Sequence, residues 1–261
     1  MDTPGTMIGN VNLKGDYYAA AFCAPEIAAK ARAGQFVHVR IDDTRNDWIL
    51  RRPFSICDTD PEKGTVTIVY KVVGKGTAAL SGLRPGSICD IMGPLGSCFT
   101  PPPDATPVAV CGGYGAAATF MLTRGKKGVL LLGARSEADV ILTDKYEKAG
   151  FDVRIATNDG SAGTRGFVTE LVPRLLAERP EEKFFFCACG PHPMLMALAR
   201  LLRELGQSGQ LSIDHRMCCG VGSCFACVVK VNDPGSADGW RYARSCAEGP
   251  VFNLEDVYTG D

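Results

Sequence analysis

Apolar and polar positions change rhythm twice along the chain. Up to about residue 103, apolar residues come in short runs at 17–22, 35–41, 65–70 and 88–92. Turn-forming stretches such as Asp60-Pro61-Glu62-Lys63-Gly64 and Arg84-Pro85-Gly86 separate them. Short strands at this turn density predict a small antiparallel β-barrel. From Pro107 onward, buried-type strands at 108–111, 129–132, 153–156 and 184–188 alternate with helical patterns. Those helices are expected from the glycine loop to about Arg124, then at 137–148, 166–177 and 193–205. Strand–helix alternation predicts a parallel sheet. The last fifty or so residues are a Gly- and Cys-rich loop followed by a hairpin, 228–232 and 240–243, around the turn Asp233-Pro234-Gly235-Ser236. The expected architecture is multidomain α+β: a barrel over 1–103, an α/β parallel-sheet domain over 104–210 and a small C-terminal module over 211–261.

Composition narrows the function. A chain of 261 residues suits two compact domains and an appendage. A net charge of −1 offers no footprint for nucleic acid or an acidic membrane. The start, MDTPGTMIGN, lacks the basic-then-apolar pattern of a signal peptide, and no apolar run approaches the length of a membrane span. The expectation is a soluble, cytoplasmic protein.

Twelve cysteines are many for such a protein, so their spacing carries the information. Eight are scattered (Cys23, Cys57, Cys89, Cys98, Cys111, Cys187, Cys189, Cys218), mostly in apolar surroundings that suit small buried side chains. Cys219, Cys224 and Cys227 instead form C-x4-C-x2-C, and Cys246 follows after eighteen residues. That is the plant-type spacing for a [2Fe–2S] cluster on four thiolates. Gly220 and Gly222 would let the loop fold around sulfide and aim backbone N–H groups at it. Structural zinc is the competing reading, but it usually takes two C-x2-C pairs, and here there is one. Disulfides would need an oxidising compartment. Cys218 could replace Cys219 by a one-residue shift, although the x4 spacing favours Cys219.

Four further stretches suit phosphates and nucleotides. Arg51-Arg52-Pro53-Phe54-Ser55 places a guanidinium fork, a rigid bend and a hydroxyl at a strand edge. Arg52 alone would more often be a surface ion pair. Tyr70-Lys71-Val72-Val73-Gly74-Lys75-Gly76-Thr77 ends a strand and opens a helix, where Gly76 and Thr77 could present N–H groups to a phosphate. In the α/β part, Gly112-Gly113-Tyr114-Gly115 and Cys189-Gly190-Pro191-His192-Pro193-Met194 both follow strands, at the end of a parallel sheet where ligands bind. Glycines there would equally serve plain strand–helix packing. Cys189 reads as either functional or simply buried. Of the dispersed histidines His38, His192 and His215, only His192 falls in such a loop.

The sequence R-P-F-S, then Y-K-x-x-G-x-G-T, then Gly93-Pro94-Leu95-Gly96, resembles the FAD-binding barrel of the ferredoxin–NADP reductase superfamily. The resemblance implies that Arg52, Pro53, Phe54 and Ser55 bind the flavin and its diphosphate. It also implies that Val69, Tyr70 and Lys71 lie along the flavin and that Gly76 and Thr77 contact phosphate. The loops with Gly112, Gly113 and Gly115, with Asp159-Gly160-Ser161, and with Cys189, Gly190 and Pro191 resemble the superfamily's NAD(P) loops. Two departures stand out: Ala116-Ala117-Ala118 replaces the usual proline after the glycine loop, and Gly125-Lys126-Lys127-Gly128 cuts the next helix short. Arg135 and Ser136 follow the second strand without an acidic residue to grip a ribose hydroxyl, which leaves NAD and NADP both open.

With C-G-x-G-x-C-x-A-C and the ending Cys246-Ala247-Glu248-Gly249-Pro250-Val251-Phe252, the layout as a whole resembles the electron-transfer subunits of B-type dihydroorotate dehydrogenases. That resemblance implies FAD, a [2Fe–2S] cluster and NAD(P). It further implies a hetero-oligomer with a separate FMN-containing catalytic subunit, or with the catalytic subunit of another oxidoreductase. The order is chemically sensible: nicotinamide moves two electrons as hydride, a cluster moves one, and a flavin can do both. No general acid–base set is evident, so substrate chemistry is expected on the partner.

Overall fold

The computed structural model describes residues 2–41, 50–214 and 216–260; His215 lies outside them. Among the described residues, β1 (Asp2–Lys14), β2 (Tyr17–Cys23), β3 (Phe36–Arg40), β4 (Arg52–Asp60), β5 (Thr65–Lys71) and β6 (Ile88–Leu95) close a barrel in the order β1-β2-β5-β4-β3-β6. Side chains alternate across each strand. Val37, Val39, Phe54, Ile56, Ile68 and Tyr70 therefore fill the interior with Phe22, Ile27 and Leu80. In the antiparallel register Phe36 faces Ser55 and His38 faces Pro53, which puts these four on the barrel's outer side. Two short helices serve the barrel, α1 (Pro25–Ala28) and α2 (Lys75–Gly82).

The second sheet has seven strands: β7 (Thr106–Gly112), β8 (Gly128–Ala134), β9 (Phe151–Thr157), β10 (Thr164–Arg165), β11 (Phe184–Cys189), β12 (Gly209–Ser212) and, far along the chain, β15 (Val251–Asn253). They lie in the order β10-β9-β8-β7-β11-β12-β15, all parallel except the last pair. Four helices complete the domain: α3 (Ala116–Thr119), α4 (Thr143–Lys148), α5 (Leu171–Glu178) and α6 (His192–Glu204). On one face Val108, Val110, Val129 and Leu131 meet α5 and α6 through Val172, Leu175, Leu195 and Leu198. On the other, Ala109, Cys111, Leu130 and Leu132 meet Ala116 and Tyr146.

Helix α3 is one place where the two domains touch. Ala116 packs on the sheet, while Ala117 packs on Tyr17, Cys57 and Val69 of the barrel. Gly34 of the barrel donates a backbone hydrogen bond to Ala118 O at 3.0 Å. A helix wedged between two apolar walls admits only small side chains, which accounts for the alanine run. The single short helix expected here is instead a 3-10 turn, four α residues and a second 3-10 turn ending at Thr123. The helix expected over 137–148 is likewise divided, because Leu142 adopts φ 66° just before α4.

The C-terminal hairpin, β13 (Val228–Asn232) with β14 (Trp240–Arg244), packs through Val231 and Ala243 on the α/β core. Its seam with the barrel joins two of the sequence motifs. A Cβ at Gly96 would stand 2.5 Å from Pro250 Cδ, and Ser97 N donates to Gly249 O at 2.6 Å. No helix among the described residues is long and apolar enough to cross a membrane.

Candidate functional site: a barrel face between a cleft and a cysteine loop

Arg52 begins β4 and lies against the first turn of α2, where a Cβ at Gly76 would come within 2.6 Å of its Nε. Arg52 Nη1 also donates to Leu50 O. The N–H groups of that first helical turn have no intrahelical acceptor. Thr77 closes the turn, its Oγ1 accepting from Val73 N at 2.9 Å and Gly74 N at 3.2 Å and donating to Gly74 O. Pro53 is exposed and Ser55 half-buried on the outer face, while Phe54 turns inward against Tyr70, ring centroids 5.7 Å apart. Tyr70 is also a core residue; it donates to Asn10 Oδ1 at 3.1 Å, and burial raises its pKa. Val69 and Lys71, on the opposite face of β5, point toward the α/β domain, Val69 into the Tyr17–Ala117 contact.

Lys71 Nζ bridges to Asp139 Oδ1 at 2.8 Å, and the Tyr17 hydroxyl donates to the same oxygen at 2.7 Å. Burial pushes the Asp139 carboxyl up, but the bonds from Lys71 and Tyr17 outweigh it and hold the group below its ordinary range. This trio lines a cleft of about 530 Å³ whose other wall holds Gly112, Gly113, Tyr114, Pro191 and Met194. That volume is within the range of small-ligand sites. The two loops meet backbone to backbone: a Cβ at Gly115 would lie 2.1 Å from Cys189 O, and one at Gly190 would lie 2.9 Å from Gly112 N. Gly115 and Gly190 thus allow the approach, while Gly112, Gly113 and Pro191 face the space it creates.

Cys189 is buried, and burial raises its thiol pKa far above the usual value. Asp159 is exposed and bonded to its own turn, accepting from Ser161 N at 3.0 Å and Ser161 Oγ at 2.6 Å; its neighbour Asn158 lines the cleft. His192 is exposed at the start of α6 and is not among the cleft-lining residues. Sequence reasoning gave no site role to Tyr17 or Asp139, which are 122 positions apart. Nor did it give one to His38.

The four predicted cysteines come together in pairs. Cys227 and Cys246 are buried with their sulfurs 3.2 Å apart, and Gly222 N donates to Cys246 Sγ at 3.2 Å. Cys219 is hydrogen-bonded to Cys224, which is exposed. Burial pushes the Cys219 thiol up, yet backbone N–H groups of Val221, Cys224 and Ser223 bring it down to about 6. Backbone N–H groups directed at a thiolate suit an anionic centre. Among the described residues, no three His, Cys, Asp or Glu side chains converge as they would around one ion. Two thiol pairs, Cys219 with Cys224 and Cys227 with Cys246, are a donor set that would fit a two-iron cluster. Gly220 and Gly222 take φ 72° and 81°, the left-handed conformation expected of glycines in this loop.

The family model "Oxidoreductase FAD-binding domain" matches residues 13–99. The model "Iron-sulfur cluster binding domain of dihydroorotate dehydrogenase B" matches residues 214–258. Curated relatives named "Dihydroorotate dehydrogenase B (NAD(+)), electron transfer subunit" cover nearly the whole chain. That of Fusobacterium nucleatum is 36% identical, over 97% of this chain and 96% of its own length. That of Desulforamulus reducens is 40% identical, over 90% of each. The chain belongs to the family of dihydroorotate dehydrogenase B electron transfer subunits.

The family fold extends to a solved structure of an NADH-dependent reduced ferredoxin–NADP oxidoreductase, 29% identical. Its TM-score is 0.81, covering 97% of this chain and 89% of that one. With the family assigned, the residues above suit an FAD at the outer face of β4, where Gly76 admits the Arg52 side chain, and a [2Fe–2S] cluster in the cysteine loop.

Proposed function

We propose that this chain carries electrons between NAD(H) and a separate FMN-containing catalytic subunit, in the dihydroorotate oxidation step of pyrimidine biosynthesis. When bound, FAD and the [2Fe–2S] cluster supply the exchange between two-electron and one-electron transfer. The division of labour follows the three sections 1–103, 104–210 and 211–261, with β15 reaching back into the α/β sheet.

In this reading Arg52 grips the flavin diphosphate, helped by the first-turn N–H groups at Gly76 and Thr77. Pro53 and Ser55 hold the ring system on the outer face, and Phe54 and Tyr70 brace the strands from inside. Gly112, Gly113 and Pro191 seat the nicotinamide nucleotide, with Gly115, Cys189 and Gly190 shaping the loops and Asp159 fixing the turn beside Asn158. Val69 and Lys71 form the barrel side of the meeting point between flavin and nucleotide. Cys219, Cys224, Cys227 and Cys246 hold the cluster. Exposed Cys224, between exposed Val221 and Phe225, marks the side toward the partner. Twelve thiols without a disulfide suit the cytoplasm.

The observation that carries this reading is the β3–β4 register. Phe36, which packs on Cys227 and Cys246, stands directly across from Ser55, so cluster loop and flavin face share two adjacent strands. The test is reconstitution. Dihydroorotate-dependent NAD+ reduction should require both this chain and the catalytic subunit, which should co-purify. Activity by this chain alone would refute the reading. The likeness to the NADH-dependent ferredoxin–NADP oxidoreductase favours a second reading, a reductase subunit of another oxidoreductase complex. Isolation of that complex, without the dihydroorotate-oxidising subunit, would select it.

A further inference from the structure

His38 lies midway along β3, inside the run Val37-His38-Val39. Strand alternation turns it away from the barrel interior, yet it is completely buried, because the cysteine loop covers it. That loop passes over the face of its ring: a Cβ at Gly220 would meet Cε1 at 2.8 Å, Nδ1 at 2.9 Å and Nε2 at 3.0 Å. Neither ring nitrogen has a hydrogen-bond partner among the described residues. Its neighbours give little opportunity for one. Pro53 stands opposite on β4, Met92 opposite on β6, and Phe36 beside it at 5.6 Å between ring centroids.

Buried polar atoms in native proteins find partners, and an imidazole offers one N–H when neutral. Burial first, and the Arg51 charge second, lower the His38 pKa to about 4, which keeps the ring neutral. The ring lies beneath the loop segment that begins at Cys219, with both nitrogens buried there. What binds between that segment and the other three cysteines is rich in sulfur acceptors carrying negative charge. N–H groups directed at such sulfurs raise the potential of an iron–sulfur centre.

We propose that His38 is a positioning residue for the cluster, donating a ring N–H to one of its sulfur atoms and so making the cluster easier to reduce. The inference rests on the flavin–cluster reading above. It adds a barrel residue to the cluster's surroundings and makes the strand opposite Pro53 the physical link between the two redox sites. Removing the donor disfavours the reduced, more negative state, whereas a side chain of other shape that still donates restores much of it.

The test uses the intact, cofactor-loaded chain. Iron content and the visible spectrum of the wild type come first; absence of a cluster there would defeat the functional reading itself, independently of His38. With the cluster present, the midpoint potentials of wild type, His38→Phe and His38→Gln are measured by titration followed by electron paramagnetic resonance. The expected result is a lower potential for His38→Phe. The oxidised-to-reduced ratio at the wild-type midpoint should rise about tenfold, a shift of ~59 mV for one electron, with His38→Gln closer to wild type. Equal potentials in all three proteins would overturn the proposal.

Wild-type protein labelled with 15N only in histidine provides a readout that does not depend on the variants folding. Pulsed resonance of the reduced cluster should show a weak 15N coupling, and in any His38 variant that keeps its cluster this coupling should vanish. No coupling in the wild type, or one as strong as a directly bound ligand gives, would also overturn the assignment.

Discussion

The Gly115 Cα stands so close to the Cys189 carbonyl that a Cβ there would lie 2.1 Å from the oxygen. Both partners are main chain, so no side chain can swing aside. Gly115→Ala should therefore push the two nucleotide loops apart and destabilise the protein by about 1–3 kcal/mol, the usual range for overpacking. Thermal unfolding measures the loss, and NAD titration should show weakened binding in the same variant. Unchanged melting would contradict the close approach.

Arg52 and Gly76 make a different kind of contact, between a flexible side chain and a bare backbone. Arg52→Ala removes a charge-assisted partner of the diphosphate, worth about 1.5–3 kcal/mol. FAD affinity should then fall roughly ten- to a hundredfold. Gly76→Ala should lower flavin retention by displacing the guanidinium, with little change in unfolding of the flavin-free protein. The ratio of flavin absorbance to protein measures both effects.

Asp139 and Lys71 tie the α/β domain to the barrel across the cleft. The Asp139 carboxyl is held below its usual range, burial opposing and the Lys71 and Tyr17 bonds prevailing. Its contribution to stability is complete above about pH 4, the unfolded value, and is lost as pH falls through the lower folded one. The Lys71 amine is held above its usual range, chiefly by Asp139. Its contribution is complete below about pH 10 and is lost as pH rises through the folded value. Asp139→Asn should therefore cost about 1–3 kcal/mol at pH 7, and the gap to wild type should close on acidification. A gap independent of pH would remove the ion pair from the account.

Cys246 and Cys218 separate the cluster ligands from the spare thiols. Cys246→Ser should abolish the visible bands and the paramagnetic signal of the reduced cluster, since it removes half of the buried pair with Cys227. Cys218→Ser should keep both, because Cys219 supplies the ligand at that end of the loop. Loss of signal in Cys218→Ser would shift the ligand set by one residue.

Much of this was legible in the sequence where residue type alone dictates conformation or chemistry. The alternating strands at 65–70 and 88–92 and the hairpin at 228–232 and 240–243 have direct counterparts in the structure, and two of the four predicted cysteines, Cys227 and Cys246, stand with their sulfurs 3.2 Å apart. Strand β1 escaped notice because Pro4, Gly5, Gly9, Asn10 and Asn12 interrupt its apolar pattern, and its place is fixed by pairing with β2 and β6. The division of α3 from its flanking 3-10 turns depends on the barrel pressing from behind, which no local pattern records.

The same limit hid part of the site. Tyr17 and Asp139 meet only through domain packing. His192, in a nucleotide-like loop, attracted attention and is exposed, whereas His38 is buried. A signal for His38 did exist: Phe36 and His38 share the face opposite Val37 and Val39, and a large aromatic on an outer face announces a second buried layer.

The central claim is that a two-electron donor and a one-electron centre communicate within this single chain. An anaerobic titration of the purified protein with NADH, followed by optical and low-temperature paramagnetic resonance spectra, tests it directly. The expected result is bleaching of the flavin band together with a reduced [2Fe–2S] signal, at no more than one unpaired electron per chain. A protein that binds NADH but shows neither flavin bleaching nor a cluster signal, or that contains zinc in place of iron, would contradict it.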